Sequence, residues 1–196
     1  MMNLENTLIN LLLKSPKSDK IYNLAKQLEK ESRFNINNDL HNLTGIWELR
    51  WSNSSAPFLN YSPLVNNLQI LDPLNSLGLN LLKPRGIKSI IGTGIIAKLN
   101  PISEIRIGIK FTHAGLIGPK FGTKKIKALA EIKKEQKGWL DITYLSKNLR
   151  ICKGDKGTLF VLNKIKDEDL FNKFQKFVEQ FNNPKKVIFN YLPLIN

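Results

Sequence analysis

The chain carries 196 residues, 42% hydrophobic and 23% charged, a length and balance that fit one domain with a sizeable core and exclude wholesale disorder. Its single cysteine, Cys152, excludes an internal disulfide framework and a cysteine-based zinc site. The formal net charge of +14 favours an anionic partner, nucleic acid or a membrane surface, although an AT-rich genome would also enrich Asn, Ile and Lys.

No stretch approaches the roughly 20 apolar residues of a membrane span. The opening residues, MMNLENTLINLLLKSPKSDK, have no basic segment before the short apolar run, no small-residue cleavage site and no Arg-rich, Ser-rich character. They predict a cytoplasmic protein without a signal or transit peptide, or one peripheral on an internal membrane. Leu4, Leu8, Leu11 and Leu12 recur at helical spacing, as do Ile21, Leu24, Ala25 and Leu28. Two helices are predicted, over about 3–14 and 17–32, broken at Ser15-Pro16. Residues 35–42 are polar and read as a linker.

From Leu43 the period changes to two. In 102–112, Ile105, Ile107, Ile109 and Phe111 oppose Glu104, Arg106 and Lys110; in 124–134, Ile126, Ala128, Ala130 and Ile132 oppose Lys125, Lys127, Glu131 and Lys133. A turn is predicted at 135–138 before a strand over 139–145, another at 153–157, and Asn100-Pro101 separates 90–99 from 102–112. Seven or eight closely spaced strands favour an antiparallel meander curled into a barrel over βαβ units. Asp167, Glu168 and Asp169 open a last helix. Its apolar stripe is Leu170, Phe171, Phe174, Phe177, Val178 and Phe181, and Asn183-Pro184 stops it before an apolar tail over 187–196. The class is α+β, mainly β: a helical segment over 1–42, a barrel over 43–164, and a helix and tail over 165–196, all in a single structural domain.

Two segments carry a resemblance. Leu43-Thr44-Gly45-Ile46-Trp47-Glu48-Leu49-Arg50-Trp51-Ser52 resembles the Leu-x-Gly-x-Trp-x-Leu-x-Tyr-Thr opening strand of the plastid lipid-associated protein (fibrillin) family. The stretch GWLDITYLSKNLRICKGDKGTLFVLNK, over 138–164, resembles its C-terminal signature. The likeness spans most of 3–164. It departs at Trp51-Ser52, at Ser146 in place of an acidic residue and at Cys152 in place of a small polar one; it is loose over 73–123. The resemblance implies a lipocalin-like barrel that binds or organises hydrophobic molecules (isoprenoid, carotenoid, quinone or acyl lipid) at photosynthetic membranes, thylakoids included, and at lipid droplets, without catalysis. A cyanobacterial homologue would account for both the absent transit peptide and the composition.

Gly45-Ile46-Trp47 is also similar to the Gly-x-Trp of lipocalins, in which a late-strand Arg lies across the Trp; Arg150 is the candidate here. The ligand-binding or closure residues expected inside the barrel are Trp47, Trp51, Ile105, Ile107, Ile109, Phe111, Ile126, Tyr144 and Arg150. Closure is favoured over ligand contact for Gly45, Trp47 and Arg150. Asp141 and Arg150, on adjacent predicted strands, are expected to form a structural ion pair.

Catalysis would need a further carboxylate, a His or a metal, and His41 and His113 have no company at ligand spacing. No enzyme, catalytic residue, metal or cofactor is therefore expected, and Cys152 reads as a small buried hydrophobe. Gly92-Thr93-Gly94 and Gly154-Asp155-Lys156-Gly157 lack the spacing of nucleotide-binding loops and read as bends or turns. Over 111–125, Ala114, Leu116 and Ile117 stand beside Lys120, Lys124 and Lys125. This is either a membrane-inserting loop tip or an ordinary solvated connection, and 77–88 reads likewise.

The expected partners are a hydrophobic small molecule or lipid and an anionic membrane surface. The alternative is a scaffold for an isoprenoid- or quinone-synthesis enzyme, docked through the Phe-rich helix. Nucleic acid is least favoured, because no aromatic RNA-recognition or helix-turn-helix motif accompanies the charge.

Overall fold

Strand alternation from Gly45 onward builds eight antiparallel strands that close on themselves. They are β1 (Gly45–Ser52), β2 (Val65–Asp72), β3 (Leu77–Pro84), β4 (Gly92–Pro101), β5 (Arg106–Phe121), β6 (Lys124–Leu145), β7 (Leu149–Gly154) and β8 (Leu159–Ile165). Each pairs with its sequence neighbours, and β8 returns to β1. Closure leaves no free terminal strand, although β6 meets β7 only over Leu140–Leu145 and is paired on one side alone before that. The computed structural model describes residues 3–56, 58–86, 91–121 and 124–182, without the side chains of 119–127 and 178–182. The apolar tail over 187–196 therefore lies outside the described residues.

Among the described residues four helices accompany the barrel: α1 (Leu4–Lys14), α2 (Lys20–Glu31), α3 (Ile36–Asp39) and α4 (Glu168–Asn182). Asn3 caps α1 by accepting from the Glu5 amide at 3.1 Å. Leu8 and Leu12 of α1 pack with Ile21, Ala25 and Leu28 of α2 on the outward residues Leu149, Ile151, Leu159 and Val161. On another outer face, Leu170, Phe174 and Phe177 of α4 meet Leu68, Ile70, Leu79, Leu81, Ile96 and Ile117. Most strands are thus apolar on both faces, each fully buried Leu or Ile contributing about 1.5–3 kcal/mol.

Three expectations need correction. The residues read as a linker hold α3 and a 3-10 turn, Leu40–Leu43. Ile36 and Leu43 are buried there with Trp47, against which Phe34 and Leu40 also pack. The segment therefore plugs one end of the barrel. The turn expected at 135–138 is absent, because β6 runs unbroken for 22 residues. Its pairing with β5 shifts between Phe111↔Gln136 and His113↔Glu131, so the polar run forms a bulge rather than a chain reversal. The 111–125 segment likewise continues β5 to Phe121 and begins β6 at Lys124 instead of looping out.

Gly45 opens β1 at φ +130°, where a Cβ would stand 2.7 Å from Lys164 Cε. Gly92 opens β4 at φ +154°, where a Cβ would lie 1.9 Å from the Leu82 carbonyl oxygen. Neither position tolerates a side chain without rearrangement.

Glu29 ties α2 to the barrel, facing Lys26 at 2.5 Å and Lys153 of β7 at 3.4 Å. Burial alone would raise its carboxyl pKa; the Lys26 hydrogen bond and the Lys153 charge outweigh that and hold it below the ordinary 4.5. A depressed folded-state pKa gives stability that is present above the unfolded value and lost as pH falls through the folded one. Glu29→Gln is therefore expected to lower the melting temperature at neutral pH and to flatten its decline below about pH 4.5. Thermal melts across that range check this, and a pH profile parallel to wild type would contradict it.

Candidate ligand-binding site

The barrel interior is hollow. A cavity of about 440 Å³ runs inward from a mouth bordered by Phe58, Leu59, Lys137 and Lys156, between walls formed by Leu49, Ile95, Ile109, Phe111, Leu140 and Phe160. Its size falls in the range that encloses one small ligand. Ser52 at the end of β1 donates to the Leu59 carbonyl, and Asn67 Nδ2 donates to the Phe58 carbonyl at 2.6 Å. These contacts hold Phe58 and Leu59 at the mouth. Leu116, paired with the cavity-wall residue Thr93, is 60% exposed and continues the apolar lip.

Deeper lies a small chamber of about 50 Å³, whose walls share Gln69, Asn80, Ile109 and Leu140 with the larger cavity. Arg150 joins that wall. Its guanidinium is completely buried, donates through Nη2 to Gln69 Oε1, and lies 5.1 Å from the Trp47 ring centroid. Its Nε and Nη1 have no hydrogen-bond partner among the described residues. Burial pushes its pKa down from the ordinary value.

Trp47, also completely buried, donates from Nε1 to the Leu43 carbonyl at 2.8 Å. Lys164 Nζ lies 5.0 Å from the same ring centroid and donates to the Asn42 carbonyl at 3.0 Å. Burial, then the Arg150 charge, lower the Lys164 pKa. Cys152 is buried and its thiol is pushed up by burial, the opposite of what a nucleophile needs.

Several expected site residues stand elsewhere. Asp141 does not pair with Arg150. It accepts from Arg106 Nε at 2.6 Å and Nη2 at 2.8 Å, and the Arg106 guanidinium stacks 3.7 Å from the Trp139 ring centroid. Register decides this: Arg150 is opposite Leu145, whereas Asp141 is opposite Arg106 on one side and Lys153 on the other. Ile105 precedes β5 and is 40% exposed, while Ile107, Ile109 and Phe111 line the interior.

Trp51 and Tyr144 pack outside the barrel against α1 and α2. Pairing shifts between Leu49 and Trp51, and between Ile142 and Tyr144; each bulge reverses the alternation that would have pointed these rings inward. Tyr144 donates to Glu5 Oε2 at 2.7 Å; burial and the Glu5 carboxylate push its hydroxyl well above the ordinary pKa. Ile117 is buried in the α4 cluster rather than at a membrane-facing tip. The side chains of Lys120, Lys124, Lys125 and Ile126 lie outside the described residues.

Sequence reasoning missed the inward amides Asn67, Gln69 and Asn80. The available signal was the opposite phase of Leu68, Ile70, Leu79 and Leu81, a second apolar stripe matching the Phe-rich helix. Among the described residues, no group of His, Cys, Asp and Glu is placed to hold a metal, and no helix is long and apolar enough to cross a membrane.

A family model described as PAP_fibrillin matches residues 9–163. Over 32 residues the chain is 69% identical to "Probable plastid-lipid-associated protein 12, chloroplastic" of Arabidopsis thaliana. That match covers 15% of this chain and 8% of the plant protein, so the chain spans under a tenth of that relative's length. No solved structure matches.

Proposed function

This chain belongs to the PAP_fibrillin family, and we propose that its barrel binds or organises hydrophobic molecules at a membrane surface, without catalysis. The observation that carries this reading is the apolar cavity with an open mouth, large enough for one chain of an isoprenoid, quinone, carotenoid or acyl lipid entering end-on. The exposed rings and side chains of Phe58, Leu59 and Leu116 would meet the hydrocarbon boundary. Lys156 and Lys137, the latter also paired with Glu135 at 3.0 Å, stand at the mouth with Asp155; a lysine free to meet anionic headgroups would contribute about 1 kcal/mol. The net charge of +14 acts in the same direction.

The scaffold alternative has less to stand on. Leu170, Phe174 and Phe177 of α4 are buried against the barrel itself, so the described part of that stripe is already engaged.

The test is titration with a fluorescent fatty acid or carotenoid, together with pelleting on anionic liposomes. Absence of both interactions would overturn the reading. Ile109, shared by both chambers, gives a sharper variant. Ile109→Trp is expected to fill the cavity and reduce uptake of the fluorescent probe at least ~10-fold, a large side chain excluding the ligand it displaces. Liposome pelleting should be unchanged. Equal probe uptake by a folded I109W would place the ligand outside the barrel.

A further inference from the structure

We propose that the ligand enters head-first and carries a single carboxylate, seated on Arg150 in the small chamber at the plugged end. The proposal rests on the barrel-interior reading above and names the class of ligand: a single-chain organic acid rather than a neutral lipid.

The closed end of the barrel holds an unbalanced charge. A guanidinium stays protonated in proteins, and a buried one is costly unless paired with an acid. Elsewhere this chain pairs its buried or half-buried arginines with carboxylates. Arg50 and Arg85 flank Glu48 at 3.4 and 2.8 Å, and Arg106 holds Asp141. Arg150 is the most buried of them and has only the neutral Gln69 amide and the Trp47 ring.

No described carboxylate stands against it to neutralise it. At this end Asp39 accepts from Asn35 and Asn42 and Asp72 from Asn75; the remaining ionisable groups make the imbalance larger or leave it unchanged. Lys164 lies on the same Trp47 ring, and Cys152 is held neutral by burial. The closed end therefore holds an uncompensated guanidinium with unused donors at Nε and Nη1.

Space and polarity agree. The chamber of about 50 Å³ beside Arg150 suits a carboxylate better than a ring system or a branched phosphate ester. Gln69 and Asn80 in its wall add amide donors, and apolar walls begin immediately above, where the chain of the acid would lie. A charge-assisted hydrogen bond to a carboxylate is among the stronger polar contacts available. The acid would supply the counter-ion that the fold omits.

The experiment compares palmitate, hexadecanol and methyl palmitate by calorimetric titration, with wild type and Arg150→Met. Wild type is expected to bind the acid roughly 10- to 100-fold more tightly than the alcohol or ester, the discrimination expected for a hydrogen bond to a charged group. R150M should bind all three alike, at the alcohol's level. With palmitate labelled with carbon-13 at its carboxyl, the bound signal in wild type should remain that of the ionised form well below the pH at which free acid protonates.

Equal binding of acid and alcohol by wild type would overturn the proposal while leaving the cavity reading intact. So would an acid preference that survives in folded R150M, or a bound carboxyl that titrates like one in water, since both place the head at the lysines of the mouth. Failure of all three ligands to bind would remove the proposal together with the cavity reading. Should R150M not fold, the wild-type selectivity and carboxyl titration decide alone.

Discussion

Replacing Trp47 by alanine is expected to destabilise the barrel by about 3–5 kcal/mol, the range for emptying a fully buried large aromatic site. The indole has no exposed surface and packs on Ile36 and Leu43 of the plug and Leu49 of the wall. Its removal also strands two cations. Arg150 and Lys164 lie 5.1 and 5.0 Å from one ring, and the ring's negative face offsets part of the repulsion between them, at about 0.5–2 kcal/mol per contact. Trp47→Phe separates these contributions. It keeps a ring and most of the volume but leaves the Leu43 carbonyl without the Nε1 donor, a loss of about 1–3 kcal/mol. Urea denaturation of both variants gives the comparison. An alanine variant no less stable than the phenylalanine one would show that the ring and its packing contribute little, and that closure rests elsewhere.

The frame of the barrel was legible wherever one face of a strand alternated cleanly, as in the Ile107, Ile109 and Phe111 run that lines the cavity. The helices were legible from Leu8, Leu12, Ile21, Ala25 and Leu28, all buried as their spacing implies. Strict alternation failed where a bulge intervened. Trp47 and Trp51 share a phase in the sequence, yet the shift after Leu49 puts one ring in the floor and the other under α2, its centroid 6.4 Å from that of Tyr22.

The candidate site suffered from a second ambiguity. In β2 the apolar residues Leu68 and Ile70 face α4 while Gln69 faces the cavity. Hydropathy alone would assign those faces the other way, because it registers burial and not which of two buried faces surrounds a ligand. Pairing of Asp141 required the register between β5 and β6, which no local pattern contains. The family likeness placed Arg150 near Trp47; that this arginine lacks an acid could be learned only from the positions of Glu48, Asp141 and Gln69 in space.

Phe174→Ala is expected to cost about 3–5 kcal/mol as well, but with a different functional consequence. Phe174 is completely buried between α4 and the outward residues of β2, β3 and β4, its ring centroid 6.1 Å from that of Phe171. Truncation leaves a void at the centre of that contact. On the exposed side of α4, Asp169 and Lys173 pair with each other, where such a pair contributes only about 0.3–0.5 kcal/mol. The expected result is a large drop in melting temperature, with increased binding of a dye that reports exposed apolar surface as Leu68, Ile70, Leu79 and Leu81 are uncovered. The ligand cavity lies on the opposite face of those strands, lined by Asn67, Gln69, Asn80 and Leu82. Below its lowered melting temperature, F174A should therefore bind the fluorescent acyl probe within about 3-fold of wild type, as expected for a distant, independent site. Loss of probe binding in step with loss of α4 packing would instead show that the two faces of the barrel wall act as one unit, and that the helix sets the shape of the cavity it never touches.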